Sequence, residues 1–212
     1  MKLKQLQSLL ENVEDFSSPQ YQLEQYMTPP YIAATMIHSA KGRDDITNCS
    51  VLDLGCGTGM LTIASSLAGA GYCLGIDVCS DAIQQAKRNC CDLLNNIEFL
   101  ITDIRRLRGF QFDTVIMNPP FGTKYNELSV KNGRPASRGS GLDVIFLKRA
   151  IETADVVYSL HKSVTRKYLE YTFKDQEFEV ISVFNFPIMK RQGKRVCTEI
   201  DIPVDFIRLQ RI

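Results

Sequence analysis

Asn118-Pro119-Pro120-Phe121 is the stretch best suited to chemistry. It ends an apolar run, Phe112 to Met117, that predicts a buried strand. Two prolines fix φ and remove two backbone N–H groups, so the turn they make is stiff. A stiff turn holds the Asn118 side-chain oxygen and the Pro119 carbonyl side by side as acceptors. Paired acceptors suit a planar –NH2 group with two hydrogens to donate, and Phe121 offers a flat apolar face for a flat substrate. A rigid turn that merely closes a strand would use the same residues, so the rest of the chain must decide.

The next stretch narrows the choice. Val51-Leu52-Asp53-Leu54 reads as a short strand, Gly55-Cys56-Gly57-Thr58-Gly59 as a turn, and Met60 opens a helix with Leu61, Ala64, Leu67 and Ala68 inward. Tyr72 to Ile76 is a second strand closing on Asp77. Strand, glycine turn, helix, strand and acid make a nucleotide-binding βαβ unit. The dinucleotide pattern Gly-x-Gly-x-x-Gly would need glycine at position 60, which is Met60. The spacing Gly-x-Gly-x-Gly, with Asp53 two residues before it, resembles methyltransferases that use S-adenosylmethionine. Glycines admit the cofactor close to the backbone, and Asp77 can accept from both ribose hydroxyls. Cys56 and Thr58 read as small residues that fit. A third strand, Ile97 to Ile101, closes on Thr102-Asp103; Asp103 either meets the adenine edge or caps a helix.

Other elements position these residues. Residues 3–13 have the spacing of an amphipathic helix, broken at Ser17-Ser18-Pro19. Thr28 can cap a helix with proline at its first position, and Ser80 and Ser163 can cap two later ones. The segment 123–141 is long, basic and rich in Gly, Ser and Asn, which predicts either a flexible, functional loop or disorder. A helix follows through Leu142, Ile145 and Ala150, then a strand over 154–160. His161 reads as a polar loop residue rather than a catalyst. Strands over 178–186 and 196–206 flank a basic turn, 190–195, and Pro203 in the last strand demands a bulge or an unpaired position.

Composition sets the bounds. A chain of 212 residues that is 44% hydrophobic fits one α/β domain, with residues 1–40 as a helical extension. A net charge of +1 does not announce a nucleic-acid binder; the clusters Arg105, Arg106, Arg108 and Lys190, Arg191, Lys194, Arg195 say more. Seven cysteines without Cys-x-x-Cys, and only two histidines, give no zinc pattern and suggest reduced thiols. Residues 1–16 lack the apolar centre of a signal peptide, and no run has membrane-spanning length. An intracellular protein with no metal of its own is expected.

The order of elements resembles the seven-stranded S-adenosylmethionine methyltransferase fold, an α/β Rossmann-like sheet of order 3-2-1-4-5-7-6 with strand 7 antiparallel. Asn-Pro-Pro-aromatic after strand 4 resembles enzymes that methylate planar amino groups. Closer still, Glu24-Gln25-Tyr26 with Thr28 and Pro30, Asp53 to Gly59, Asn118 to Thr123, Tyr158 to Ser163 and Val204 to Arg208 resemble the methyltransferase-like protein 5 family, which makes N6-methyladenosine in small-subunit ribosomal RNA. The resemblance implies that Gln25, Thr28, Gly55, Thr58, Met60, Asp77, Asp103 and Ile104 line the cofactor, together with Asp53, Gly57 and Gly59 of the glycine turn. It implies a small zinc-binding activator subunit, for which the apolar edge strand 97–101 is the expected seat, and a place in the nucleus (nucleolus) and cytoplasm. Lys124, His161, Lys162, Lys190, Arg191, Lys194 and Arg195 are the expected RNA contacts. The loop 123–141 is longer than the family leads one to expect. Two alternatives use the same residues: a protein glutamine N5-methyltransferase, since a glutamine amide is also a planar –NH2, and a non-catalytic RNA-binding subunit.

Overall fold

Apolar residues alternate along each central strand, and the two sets face opposite ways. In β1 (Ser50–Leu54), Val51 joins one core while Leu52 and Leu54 join the other, the period of two that a strand imposes. A sheet buried on both faces is the result. The computed structural model describes residues 1–90, 94–121, 141–192 and 195–212, with the backbone alone for Tyr21 and within 189–199. The expected loop 123–141 therefore lies almost wholly outside the described residues.

The sheet has seven strands in the order β3-β2-β1-β4-β5-β7-β6. β2 (Tyr72–Asp77), β3 (Ile97–Ile101), β4 (Phe112–Met117) and β5 (Ala154–Lys162) run parallel to β1. β7 (Arg195–Arg211) is antiparallel to β5 and to β6 (Gln176–Gln192). One face is covered by α1 (Leu3–Leu10), α2 (Pro30–Lys41) and α3 (Met60–Ala68), which bury Leu6, Leu10, Met36, Ile37 and Ile63 against Val51, Ile116 and Tyr158. On the other face α5 (Leu142–Thr153) and α6 (Arg166–Thr172) bury Phe146, Leu147 and Leu169 with Leu54, Val115 and Ile207. α4 (Ser80–Asn89) packs on β2 and β3.

Several expectations need correcting. β3 and β4 are joined without an α-helix, through a single 3-10 turn, Ile104–Arg106, which buries Ile104 and the following Leu107 in the core. None of the three expected caps is made by its own hydroxyl. Ser80 is the first residue of α4, with Cys79 at the cap. Ser163 donates to Asp205 Oδ1 at 2.5 Å. Thr28 precedes the cap residue Pro29 and bonds elsewhere. The two last strands are 17 residues each, longer than expected, because β6 and β7 pair on to Gln192–Arg195.

Pro203 makes no bulge: it pairs in register with Asn185. The Asn185 carbonyl accepts from Tyr31 Oη at 3.0 Å, so it points away from β7. That pair is consequently a non-hydrogen-bonded one, and the proline nitrogen faces the β5 side. β5 ends there, its last pair being Lys162–Val204. Pro203 thus stays in the pairing register, and its nitrogen, which has no proton to donate, faces no paired residue of β5.

Candidate active site

The carboxyl ends of β1, β2, β3 and β4 meet at a cleft of about 360 Å³. Gly55, Gly57 and Gly59 follow β1 with φ of +74°, +53° and +86°, values that favour glycine. A Cβ at Gly57 would stand 2.7 Å from the Phe16 ring. β2 holds this turn in place. The Gly55 and Cys56 amides both donate to the Ile76 carbonyl, at 2.8 and 2.9 Å, and the Gly57 amide donates to Asp77 Oδ2 at 3.0 Å. Asp77 Oδ1 accepts from the Cys79 amide at 2.8 Å. Burial pushes the Asp77 carboxyl up, against the downward pull of these amides.

Gln25, Asp77, Asp103 and Ile104 all line the cleft, as expected of cofactor residues. Asp103 borders the cleft and also caps the 3-10 turn, accepting from the Arg105 amide at 2.9 Å. The Arg105 guanidinium, bonded to both carboxylate oxygens, holds Asp103 down at about 2.

A smaller cavity of about 30 Å³ adjoins the cleft, and Phe16, Tyr26, Gly55 and Asn118 belong to both. Thr28, Asp53, Thr58 and Met60 complete it. Asp53 is buried; its Oδ2 accepts from Thr62 Oγ1 at 2.6 Å, while its Oδ1 has no partner among the described residues. Burial pushes its carboxyl up to about 7. Thr58 Oγ1, Asn118 Oδ1 and Gln25 Nε2 are likewise buried without hydrogen-bond partners. Buried polar atoms without partners are costly. Gathered around two adjoining cavities, they fit a ligand with cationic and hydrogen-bonding groups, such as the nucleoside and amino-acid ends of S-adenosylmethionine.

Asn118 stands between the two cavities. Its Nδ2 donates to Thr28 Oγ1 at 3.0 Å, which leaves Oδ1 as the atom offered to a ligand. Thr28 was expected to line the cofactor; it does border the small cavity, and it also orients the amide, a role with no signal in the sequence. Pro119 is buried and Pro120 borders the cleft. Phe121 departs from the open stacking surface expected of it. Its ring is 9% exposed and meets Phe186 edge-on, centroids 5.5 Å apart at 88°, because the long β6 closes over it.

The expected RNA contacts divide. His161 is 1% exposed, with Nε2 2.8 Å from Ser159 Oγ, so its ring does not reach the surface. Lys162 is half-buried; burial lowers its pKa against the upward pull of Glu24 and Asp143. Lys124 and Lys194 lie outside the described residues. Lys190, Arg191 and Arg195 belong to the β6–β7 ribbon, and their side chains lie outside the description. Sequence reasoning missed Phe16, which covers Gly57; an aromatic just ahead of Ser-Ser-Pro carries little signal.

Residues 35–132 match the family model of the methyltransferase small domain. The chain is 39% identical over 216 residues to the rRNA N(6)-adenosine-methyltransferase METTL5 of Danio rerio, covering 98% of both chains. It is 41% identical over 177 residues to the rRNA N(6)-adenosine-methyltransferase Mettl5 of Drosophila melanogaster, covering 80% of this chain and 77% of that one. Among solved structures, a candidate RNA methyltransferase from Pyrococcus horikoshii superposes with a TM-score of 0.84 at 29% identity, over 100% of this chain and 98% of that one.

Proposed function

The chain belongs to the METTL5 family of rRNA N6-adenosine methyltransferases, and on that premise we propose that its cleft methylates the N6 amino group of an adenosine in small-subunit ribosomal RNA, with S-adenosylmethionine as cofactor. The observation that carries this reading is the buried Asn118 Oδ1, oriented by the bond from Nδ2 to Thr28 and without a partner among the described residues. When bound, the cofactor supplies an electrophilic methyl group.

Adenine N6 is a poor nucleophile because its lone pair is delocalised into the ring. Asn118 Oδ1 and the Pro119 carbonyl accept its two hydrogens, favouring a pyramidal nitrogen whose lone pair is free to attack. The N–C bond forms as the C–S bond breaks, and the two acceptors stabilise the positive charge that develops on nitrogen. One amino proton then leaves to solvent. The remaining contribution is in-line positioning. Asp77 binds the ribose, Asp103 and Ile104 border the adenine, and Asp53, Thr58 and Thr28 face the amino-acid end. The target base must leave its stack to reach the strand ends. Lys162 and the basic ribbon residues would hold phosphates. Labelled methyl transfer offered to RNA and to protein, followed by nucleoside analysis, tests the reading. Label in N6-methyladenosine is expected; label in a protein amide would favour glutamine N5 chemistry, and binding without transfer a non-catalytic subunit.

The buried carboxyl of Asp53 predicts a pH dependence. Ionising it near a cofactor cation is favourable, so binding should release a proton while the free site is still protonated. Affinity should therefore rise with pH up to about 7 and flatten above it. For the free protein the sign is opposite. Its folded pKa is raised, so its contribution to stability is greatest below the unfolded value and is lost as pH rises towards about 7. Calorimetric titration at about pH 6 in buffers of different ionisation heat should detect the released proton. No release, or the same release from Asp53→Asn, would remove Asp53 from this role.

We further propose that the zinc-binding activator subunit adds a strand to β3. β3 is an edge of the sheet, Leu100 and Ile101 are 40% and 52% exposed, and it carries no lysine or proline to blunt it. Ile101→Lys should leave the melting temperature of the chain alone almost unchanged while abolishing co-purification with the partner. Co-purification at wild-type yield would refute this seat. No helix is long and apolar enough to cross a membrane among the described residues. Substrate and partner would place the protein in the nucleolus and cytoplasm.

A further inference from the structure

The segment from Glu14 to Thr28 forms an outer wall of both cavities through Phe16, Gln25 and Tyr26. Its ends are anchored: Val13 and Thr28 are 8% and 5% exposed. Between them no residue whose side chain is described is buried. Tyr26 and Met27 pack partly buried against the core at the far end of this strap; before them, few buried apolar contacts mean a low free energy of local opening, and polar bonds hold that part of the strap in place.

Those bonds converge on one side chain. Asn89, the last residue of α4, accepts from the Glu14 amide at 3.1 Å and donates to the Glu14 carbonyl at 2.9 Å. It also donates to the Thr58 carbonyl of the glycine turn at 2.9 Å and accepts from Gln85 Nε2 at 3.2 Å. Two donors and two acceptors are the whole capacity of an asparagine amide. Gln85, itself buried, adds a bond from Nε2 to Glu14 Oε2 at 3.1 Å. Two residues beyond Glu14, Phe16 lies on Gly57. Farther along, Gln20 is tied by its amide to Gln25 Oε1 at 2.7 Å and by its side chain to Cys79 Sγ at 3.4 Å. At its far end the strap reaches Asn118 through Thr28.

We propose that Asn89 is a positioning residue that clasps this strap to the glycine turn, and that opening of the clasp sets the rate at which cofactor and demethylated product exchange. The inference rests on the S-adenosylmethionine reading above. Asn89 lies behind the glycine turn, bonding only its outward carbonyl, and lines neither cavity. It therefore acts on the ligand through the strap.

The test uses the full chain, with its partner if one is needed for solubility, and S-adenosylhomocysteine as probe. Asn89→Ala removes two bonds to the Glu14 backbone, each worth roughly two- to tenfold in an equilibrium. Release of labelled S-adenosylhomocysteine, followed by chase, should accelerate about tenfold or more, and KM for the methyl donor should rise by more than kcat falls. Hydrogen exchange should rise over residues 14–27 and stay constant in β1, β4 and β5. Phe16→Ala, which disturbs no hydrogen bond of α4, should also accelerate release and guards against a variant that fails to fold. If both variants bind the probe and release it at the wild-type rate, the clasp does not control exchange and the proposal is overturned. A wild-type chain that fails to bind the probe would overturn the cofactor reading, and the clasp with it.

Discussion

Replacing Asn118 with alanine should slow single-turnover methyl transfer by roughly 100- to 1000-fold, the usual cost of one oriented polar group at a reacting centre. Cofactor affinity should change little, because the glycine turn and Asp77 do most of the holding. The asymmetry follows from the hydrogen bonds. Asn118 spends its Nδ2 on Thr28, and its Oδ1 has no partner among the described residues, so the lost atom is the one offered to a ligand. Alanine also leaves Thr28 Oγ1 without that contact, which should cost some stability and is checked by the melting temperature. Near-wild-type transfer would remove Asn118 from catalysis. Transfer that recovered at high cofactor concentration would make it a binding residue instead.

Asp77→Ala should do the reverse. Two hydrogen bonds from ribose hydroxyls to a carboxylate, at about 1.5–3 kcal/mol each, predict a loss of cofactor affinity of at least about 100-fold. The same carboxylate accepts from the Gly57 and Cys79 amides, so its removal also strands two donors and loosens the glycine turn. Asp77→Asn separates these effects. The amide keeps one acceptor oxygen, so its affinity should fall between that of wild type and that of alanine. Calorimetric titration gives the affinities, and assays at saturating cofactor should restore most of the Asp77→Ala activity. Activity that stays low at saturation would mean that the loosened turn also misplaces the methyl group.

Much of this site was legible from local pattern. The glycine turn, Asp77 and Asn118 are each dictated by short-range rules: a backbone that needs positive φ, an acid at the end of the next strand, and a proline-stiffened strand end. Strand order followed from the resemblance of the element succession to a known fold. What the sequence hid depends on distant chain. Phe121 was expected in the open because nothing local shows that β6 runs far enough to bring Phe186 against it. His161 looked like a loop residue, but β5 runs on to Lys162 and buries it. Thr28 looked like a helix cap, and only the fold shows that its hydroxyl meets an amide 90 residues away. The strap over the cleft, too, depends on a clasp 75 residues distant.

Pro203 sets the β7 side of the ribbon apart from the β3 edge of the sheet. Beyond Lys162 the β7 side of the ribbon pairs with no strand among the described residues and would present a row of backbone donors to another chain. The proline deletes one donor from that row, in the position where a third strand would have to begin. The register shift at Lys190/Arg191 twists the border further along. Both are devices against aggregation. β3, at the opposite border, has neither. Strand addition is thus blunted on one side and left unblunted on the other, so a chain that associates through its sheet should do so along β3.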